Sequence, residues 1–188
     1  SYLLAGLLID DVCNYALLSG VHAVKKDGVY HRGMEGFCAE QNMVQVPLAV
    51  LSEWERMECD HNEIWIVENP SIFARLCGEH PCMCMNGQPR LAGLLVLDLL
   101  AEAGTVIHYA GDLDPEGLLI AQKLSQYYKG AFYYWHMTEE DYHMCRSEEA
   151  LSERRIGMLQ KITDPQLLPV ARAIAEYGMA GYQEKIDY

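Results

Sequence analysis

Two aspartates separated by one residue, Asp112 and Asp114, close an apolar run and are bracketed by Gly111 and Gly117. If strand geometry persists, alternation sends both carboxylates to the same side. Like charges at that spacing repel in a low dielectric unless a proton or a cation lies between them. A hard divalent ion, Mg²⁺ or Mn²⁺, suits such donors, because it takes carboxylate oxygens and keeps waters that can be activated. A third carboxylate, Glu68, ends a separate short run, Glu63-Ile64-Trp65-Ile66-Val67. Adjacent parallel strands lie about 4.8 Å apart, so Glu68 can share the ion if its strand neighbours the one before Asp112. The plainer alternative is that Asp114, before Pro115, caps the helix that starts there. Glu116 is either a further metal acid or a first-turn charge that suits the helix dipole.

Other polar residues fall near the same strand ends. Asn69 either turns its amide to an ion or phosphate or forms the turn into a helix at Pro70. Asn86 and Gly87 end another run and could offer backbone donors to a phosphate, although a plain turn explains them as well. His108 lies inside a strand, where packing or an indirect contact with the site suits it better than direct ligation. His136 follows the last strand and could touch phosphate or protonate a leaving group; a polar surface residue is the simpler reading. Arg90 is the nearest basic candidate for a backbone contact. Arg146, Arg154 and Arg155 could form a basic strip, but Glu148, Glu149 and Glu153 among them point to solvated helix faces. The seven cysteines match no disulfide framework, and Cys77, Cys82 and Cys84 lack the spacing of a zinc knuckle. They read as buried, inert thiols in a reducing, cytoplasmic setting.

These residues need elements to hold them. Residues 63–67, 81–85, 105–110 and 131–135 read as short apolar strands, alternating with helices at 70–77, 91–103 and 118–128. That order predicts an α/β fold with a parallel four-stranded sheet flanked by helices, and ligands at the carboxyl ends of its strands. Before it, the apolar density of residues 3–18 and the spacing over 48–57 predict helices, with loops and one short strand over 20–36. After it, helices are expected at 139–146, 148–160 and 167–182. The chain is thus expected to comprise a mostly helical lead-in (1–60), a catalytic core (61–138) and carboxyl-terminal helices packed on the core (139–188).

The 188 residues carry 27 acidic side chains against 14 Lys and Arg, a formal net charge of −13. Nucleic-acid affinity comes largely from neutralising phosphates with cationic side chains, which argues against an autonomous sequence-reading DNA-binding domain. Divalent cations, basic partners, or DNA held by another subunit remain compatible. No leader or membrane-spanning run is visible, and the start at Ser1 without Met suggests a piece of a longer protein.

Glu68 after one strand, and Gly111-Asp112-Leu113-Asp114-Pro115-Glu116-Gly117 after another, resemble the Toprim fold of topoisomerases, bacterial primases and several nucleases. Closer still, Val67-Glu68-Asn69-Pro70, Cys84-Met85-Asn86-Gly87-Gln88-Pro89, His108 to Asp114, and Trp135-His136-Met137 with Asp141-Tyr142 resemble the Toprim nuclease subunit (JetD) of bacterial Wadjet anti-plasmid systems. The resemblance implies a Rossmann-like Toprim core and Glu68, Asp112 and Asp114 as catalytic, metal-holding residues with one or two Mg²⁺ or Mn²⁺ ions. It also implies phosphodiester hydrolysis of double-stranded DNA presented by an SMC-like ATPase complex, with a homodimer as a further possibility and no membrane partner. Two departures stand: Pro115-Glu116-Gly117 replaces that family's Trp-Pro-Gly, and its longer amino-terminal arm is not seen, so this is expected to be the catalytic half. The alternatives are a topoisomerase- or recombinase-type subunit using a tyrosine elsewhere, and a non-catalytic metal-binding module.

Overall fold

Glu63–Val67 and Val106–Ala110 lie side by side as parallel strands at the centre of a mixed sheet. The computed structural model describes residues 13–85, 87 and 89–186. In chain order they form β1 (Tyr15–Ser19), β2 (Val21–Lys25), α1 (Arg32–Ala39), β3 (Val44–Pro47), α2 (Leu48–Leu51), β4 (Trp54–Cys59), β5 (Glu63–Val67), α3 (Pro70–Leu76), β6 (Cys82–Cys84) and α4 (Leu91–Glu102). There follow β7 (Val106–Ala110), α5 (Pro115–Tyr127), β8 (Phe132–Tyr134), α6 (Glu139–Cys145), β9 (Arg146–Ala150), α7 (Glu153–Met158), α8 (Leu168–Tyr177) and β10 (Met179–Gly181). A short 3-10 turn, Gln183–Lys185, ends the described chain.

The main sheet has the order β3-β1-β6-β5-β7-β8. Its β6-β5-β7-β8 part is parallel, as the strand-helix alternation predicts, while β1 pairs antiparallel with both β6 and β3. The expected four-stranded sheet is therefore extended to six strands. Alternation sorts the apolar side chains onto two faces. Ile64, Ile66, Ile107 and Tyr109 join the large core with Val96, Leu97 and Leu100 of α4 and Leu118, Ala121 and Leu124 of α5. Val67, Ala110, Cys82 and Cys84 pack on the other face against Ile72, Phe73 and Leu76 of α3.

Local chemistry sets the helix starts. Asn69 caps α3 through Ser71 N–H, with Pro70 in the first turn. Asp114 caps α5 through Gly117 N–H, with Pro115 behind it. Thr138 and Asp141 make a reciprocal capping box on α6.

The flanking segments differ from expectation. Residues 1–12, most of the helix expected over 3–18, lie outside the described residues, but Tyr15–Ser19 is a strand rather than that helix's end. Ala16 and Leu18 face the large core while Leu17 packs on the α3 side, so β1 is covered on both faces and shows no alternation. The helix expected over 48–57 is one turn, α2, followed by β4. Leu48, Leu51 and Trp54 are buried at an interval of three, which imitates a helical stripe, and a bulge opposite Val24 and Lys25 blurs the period of β4. The segment 20–36, expected as loops with one short strand, holds such a strand, β2, and also the start of a helix, α1. The lead-in, where described, is thus a β-rich region rather than a mostly helical one.

Towards the carboxyl end, residues 146–150 form β9, not the start of a helix, and pair with β10 in a two-stranded ribbon. Gly178, with φ of +66°, ends α8 in the left-handed conformation that glycine adopts without strain. No helix among the described residues is long and apolar enough to cross a membrane.

Candidate metal centre

The register of the central strands sets the end of β5 beside the start of the Gly111–Gly117 segment. Val67 stands opposite Ala110 on one side and Cys84 on the other. The next residue on β5, Glu68, therefore meets Gly111 at the carboxyl end of β7. A Cβ on Gly111 would lie 2.7 Å from Glu68 Oε1, so only glycine leaves room for the carboxylate. Parity puts Tyr109 on the same face, and its fully buried phenol donates a hydrogen bond to Glu68 Oε1.

Asp112 lies one residue beyond. Its Oδ1 accepts from the backbone N–H of Gln183 at 3.0 Å. The segment leading into Gln183 is tied down by a two-way bridge, in which Leu113 and Gly181 exchange N–H···O bonds of 2.9 Å. The Asn69 amide completes this closure by donating to Glu184 Oε1. The carboxyl-terminal 3-10 turn thus packs across the ends of β5 and β7. The side chain of Gln183 is wholly buried, and neither its Nε2 nor its Oε1 has a hydrogen-bond partner among the described residues.

Asp114 and Glu116 face a different partner. Gly117 N–H donates to Asp114 Oδ1 at 2.7 Å, and Arg155 Nη2 donates to Asp114 Oδ2 at 2.6 Å. Arg155 Nε and Nη2 also reach both oxygens of Glu116, at 2.7–3.0 Å. Arg155, expected on a solvated helix face, is instead a clamp on two of the site's acids.

The electrostatics follow from burial and crowding. Burial pushes the Glu68 carboxyl up to about 8, the charges of Asp112 and Asp114 add to this, and the Tyr109 bond opposes it. Burial also raises Asp112, helped by Asp114 and Glu184 and opposed by the Gln183 N–H. Asp114 is raised by burial and by Glu116, against the pull of Gly117 N–H and Arg155. Burial and mutual repulsion thus make all three carboxyls resist ionisation.

The donor set supports a hard divalent ion only in part. Glu68 and Asp112 each have one oxygen engaged, leaving Glu68 Oε2 and Asp112 Oδ2 without a hydrogen bond among the described residues. Oxygen donors of this kind suit Mg²⁺ or Mn²⁺. Asp114 has no oxygen clear of a hydrogen bond, and Glu116 none clear of Arg155. Accordingly, among the described residues no group of three His, Cys, Asp or Glu side chains is arranged to hold a metal ion.

The remaining predicted residues divide. Asn69 serves as helix cap and as tether for Glu184. Gly111 supplies the close approach. Gly87 has φ of +88° just past β6, and Asn86 lies outside the described residues. His108 is away from the acids, stacked between Trp65 and Tyr133 with Nε2 3.3 Å from Glu63. His136, at φ of +51°, pairs through Nδ1 with Asp141 at 3.1 Å. The described cysteines form no disulfide among the described residues, and Cys82, Cys84 and Cys145 are buried.

Sequence reasoning missed Tyr109, Gln183, Glu184 and Arg155. Strand parity could have revealed Tyr109, which shares a face with Gly111. Arg155 and Gln183 are 41 and 71 residues from their aspartates, and no local signal marks them.

No curated protein matches the chain. The family described as "Protein of unknown function C-terminus (DUF2399)" matches residues 44–187, a stretch that holds β5, β7 and every acid discussed above. The chain belongs to that family.

Proposed function

We propose that this chain is a divalent-metal-dependent DNA endonuclease domain of the Toprim type, which hydrolyses phosphodiester bonds within an SMC-like plasmid-defence complex. The observation that carries the reading is the adjacency of Glu68 and Asp112 at the ends of neighbouring parallel strands, each with one oxygen open and a raised proton affinity. The likeness to the Wadjet nuclease subunit supports the choice of DNA as substrate.

Glu68 and Asp112 would hold the ion, with Asp114 and Glu116 beside it. A bound Mg²⁺ or Mn²⁺ would polarise a phosphoryl oxygen and lower the pKa of a coordinated water. Tyr109 fixes one oxygen of Glu68, so the other would be left either to hold the ion or to take the proton of an attacking water. The Gln183 N–H orients Asp112 in the same way. With a net charge of −13 the chain does not draw in a duplex by itself, which is why the proposal includes a partner that presents the DNA.

Plasmid cleavage by the chain with its SMC-like partners tests the reading, using wild type and Asp112→Ala in Mg²⁺ or Mn²⁺. Cleavage by wild type and at least a hundredfold loss in the variant are expected, on the order of one catalytic group's contribution. Equal cleavage by both removes Asp112 from the chemistry. A DNA end trapped on a tyrosine would instead favour the topoisomerase-type alternative.

A further inference from the structure

We infer that Arg155 takes the place of a second cation: the site accepts one divalent ion, on Glu68 and Asp112, and Arg155 supplies the positive charge for Asp114 and Glu116. The inference rests on the metal-dependent reading above and concerns how many ions it uses.

Arg155 divides the acids into two pairs. Glu68 and Asp112 each keep an oxygen open, whereas Arg155 and the Gly117 N–H engage both oxygens of Asp114. Both oxygens of Glu116 are held by the same guanidinium, with Nε donating to each and Nη2 adding a third bond of 2.7 Å. Such planar, multidentate pairing is what a guanidinium does and a lysine ammonium does not. The side chain of Arg155 is only 28% exposed and that of Asp114 only 13%, so water screens this pair poorly.

Charge counting agrees. The four carboxylates carry −4 when ionised, Arg155 returns +1, and one divalent ion brings the sum to −1. A second ion would leave the cluster net positive and would face a like charge already at hydrogen-bond distance from its own donors. It could enter only by evicting Arg155. Glu149, 3.7 Å from Nη1 and half exposed, is a rim contact rather than an alternative seat of equal strength. Arg155 is thus a positioning residue that fixes Asp114 and Glu116.

Mn²⁺ titration of the full chain, followed by the electron paramagnetic resonance of the free ion, tests this. Wild type is expected to bind one equivalent, and Arg155→Ala and Arg155→Gln two, with the affinity of the first changed less than about tenfold. Two equivalents on wild type, or one on the variants, overturns the inference and leaves the metal reading standing. No binding by wild type removes both. A second readout needs no variant: the Arg155 Nε–H resonance, shifted by its bonds to Glu116, is expected to persist in wild type saturated with Mg²⁺. Its return to the position of a free arginine would contradict the role assigned here.

Discussion

The phenol of Tyr109 donates to Oε1 of Glu68 from a fully buried position on the neighbouring strand. Among the described residues, that bond is the one local interaction opposing the burial and the charges of Asp112 and Asp114 that raise the Glu68 proton affinity. Removing it with Tyr109→Phe should therefore strengthen the proton's hold on Glu68 and weaken a bound cation. A hydrogen bond to a charged group contributes about 1.5–3 kcal/mol, so Mn²⁺ affinity is expected to fall roughly tenfold or more. Isothermal titration at pH 7 checks this, and an unchanged affinity would show that Glu68 is not a ligand.

The Glu68 shift also sets a pH dependence. The ordinary glutamate value is 4.5, whereas the folded chain holds this proton up to about 8. The folded state therefore binds more protons than the unfolded state between those values. The stabilisation from this proton is fully present below pH 4.5 and is lost as pH rises through about 8, with a ceiling of about 1.4 kcal/mol per pH unit. Metal-free wild type should melt at lower temperature at pH 9 than at pH 6, and Glu68→Gln should show a smaller decline. Divalent-ion affinity should run the other way, rising with pH until Glu68 is ionised near 8 and then levelling. Parallel melting curves for the two proteins would contradict the assignment.

Gly111→Ala places a methyl group 2.7 Å from Glu68 Oε1 and 3.1 Å from the Tyr109 hydroxyl. The far end of the Glu68 side chain can swing aside, so the fold should survive with a melting temperature close to that of wild type. Metal binding should not survive unchanged: a loss of roughly tenfold is expected, since each tenfold is about 1.4 kcal/mol.

Gly117→Ala meets a harder obstacle. Its Cβ would lie 2.2 Å from the backbone carbonyl oxygen of Asp112, which no rotamer change relieves. Overpacking of this kind costs about 3 kcal/mol or more, and thermal melting should register it as a clear loss of stability even without metal. The contrast between the two glycines separates a packing requirement from a functional one.

The central strands and their helices were legible because their signals are local. Glu63–Val67 is bounded by polar residues and Pro70, and Asn69-Pro70 and Asp114-Pro115 announce helix starts by cap chemistry. β5 does pair with β7, which sets Glu68 beside Gly111, one residue before Asp112. The flanks were not legible, since β1 is apolar on both faces and the exposed β9 has no hydrophobic pattern at all. Gly178 was a stop signal that periodicity over 167–182 overrode. The groups that orient the acids, Gln183 and Arg155, reach them through tertiary folding alone, so spacing along the chain carries no trace of them.

The most direct test of the account is the anomalous difference map of a crystal of this protein soaked in Mn²⁺. A single peak between the carboxylates of Glu68 and Asp112, absent from a Glu68→Gln crystal, is the predicted result. A peak lodged at Asp114 and Glu116 with Arg155 displaced, or no peak beside Glu68 at saturating Mn²⁺, would contradict it.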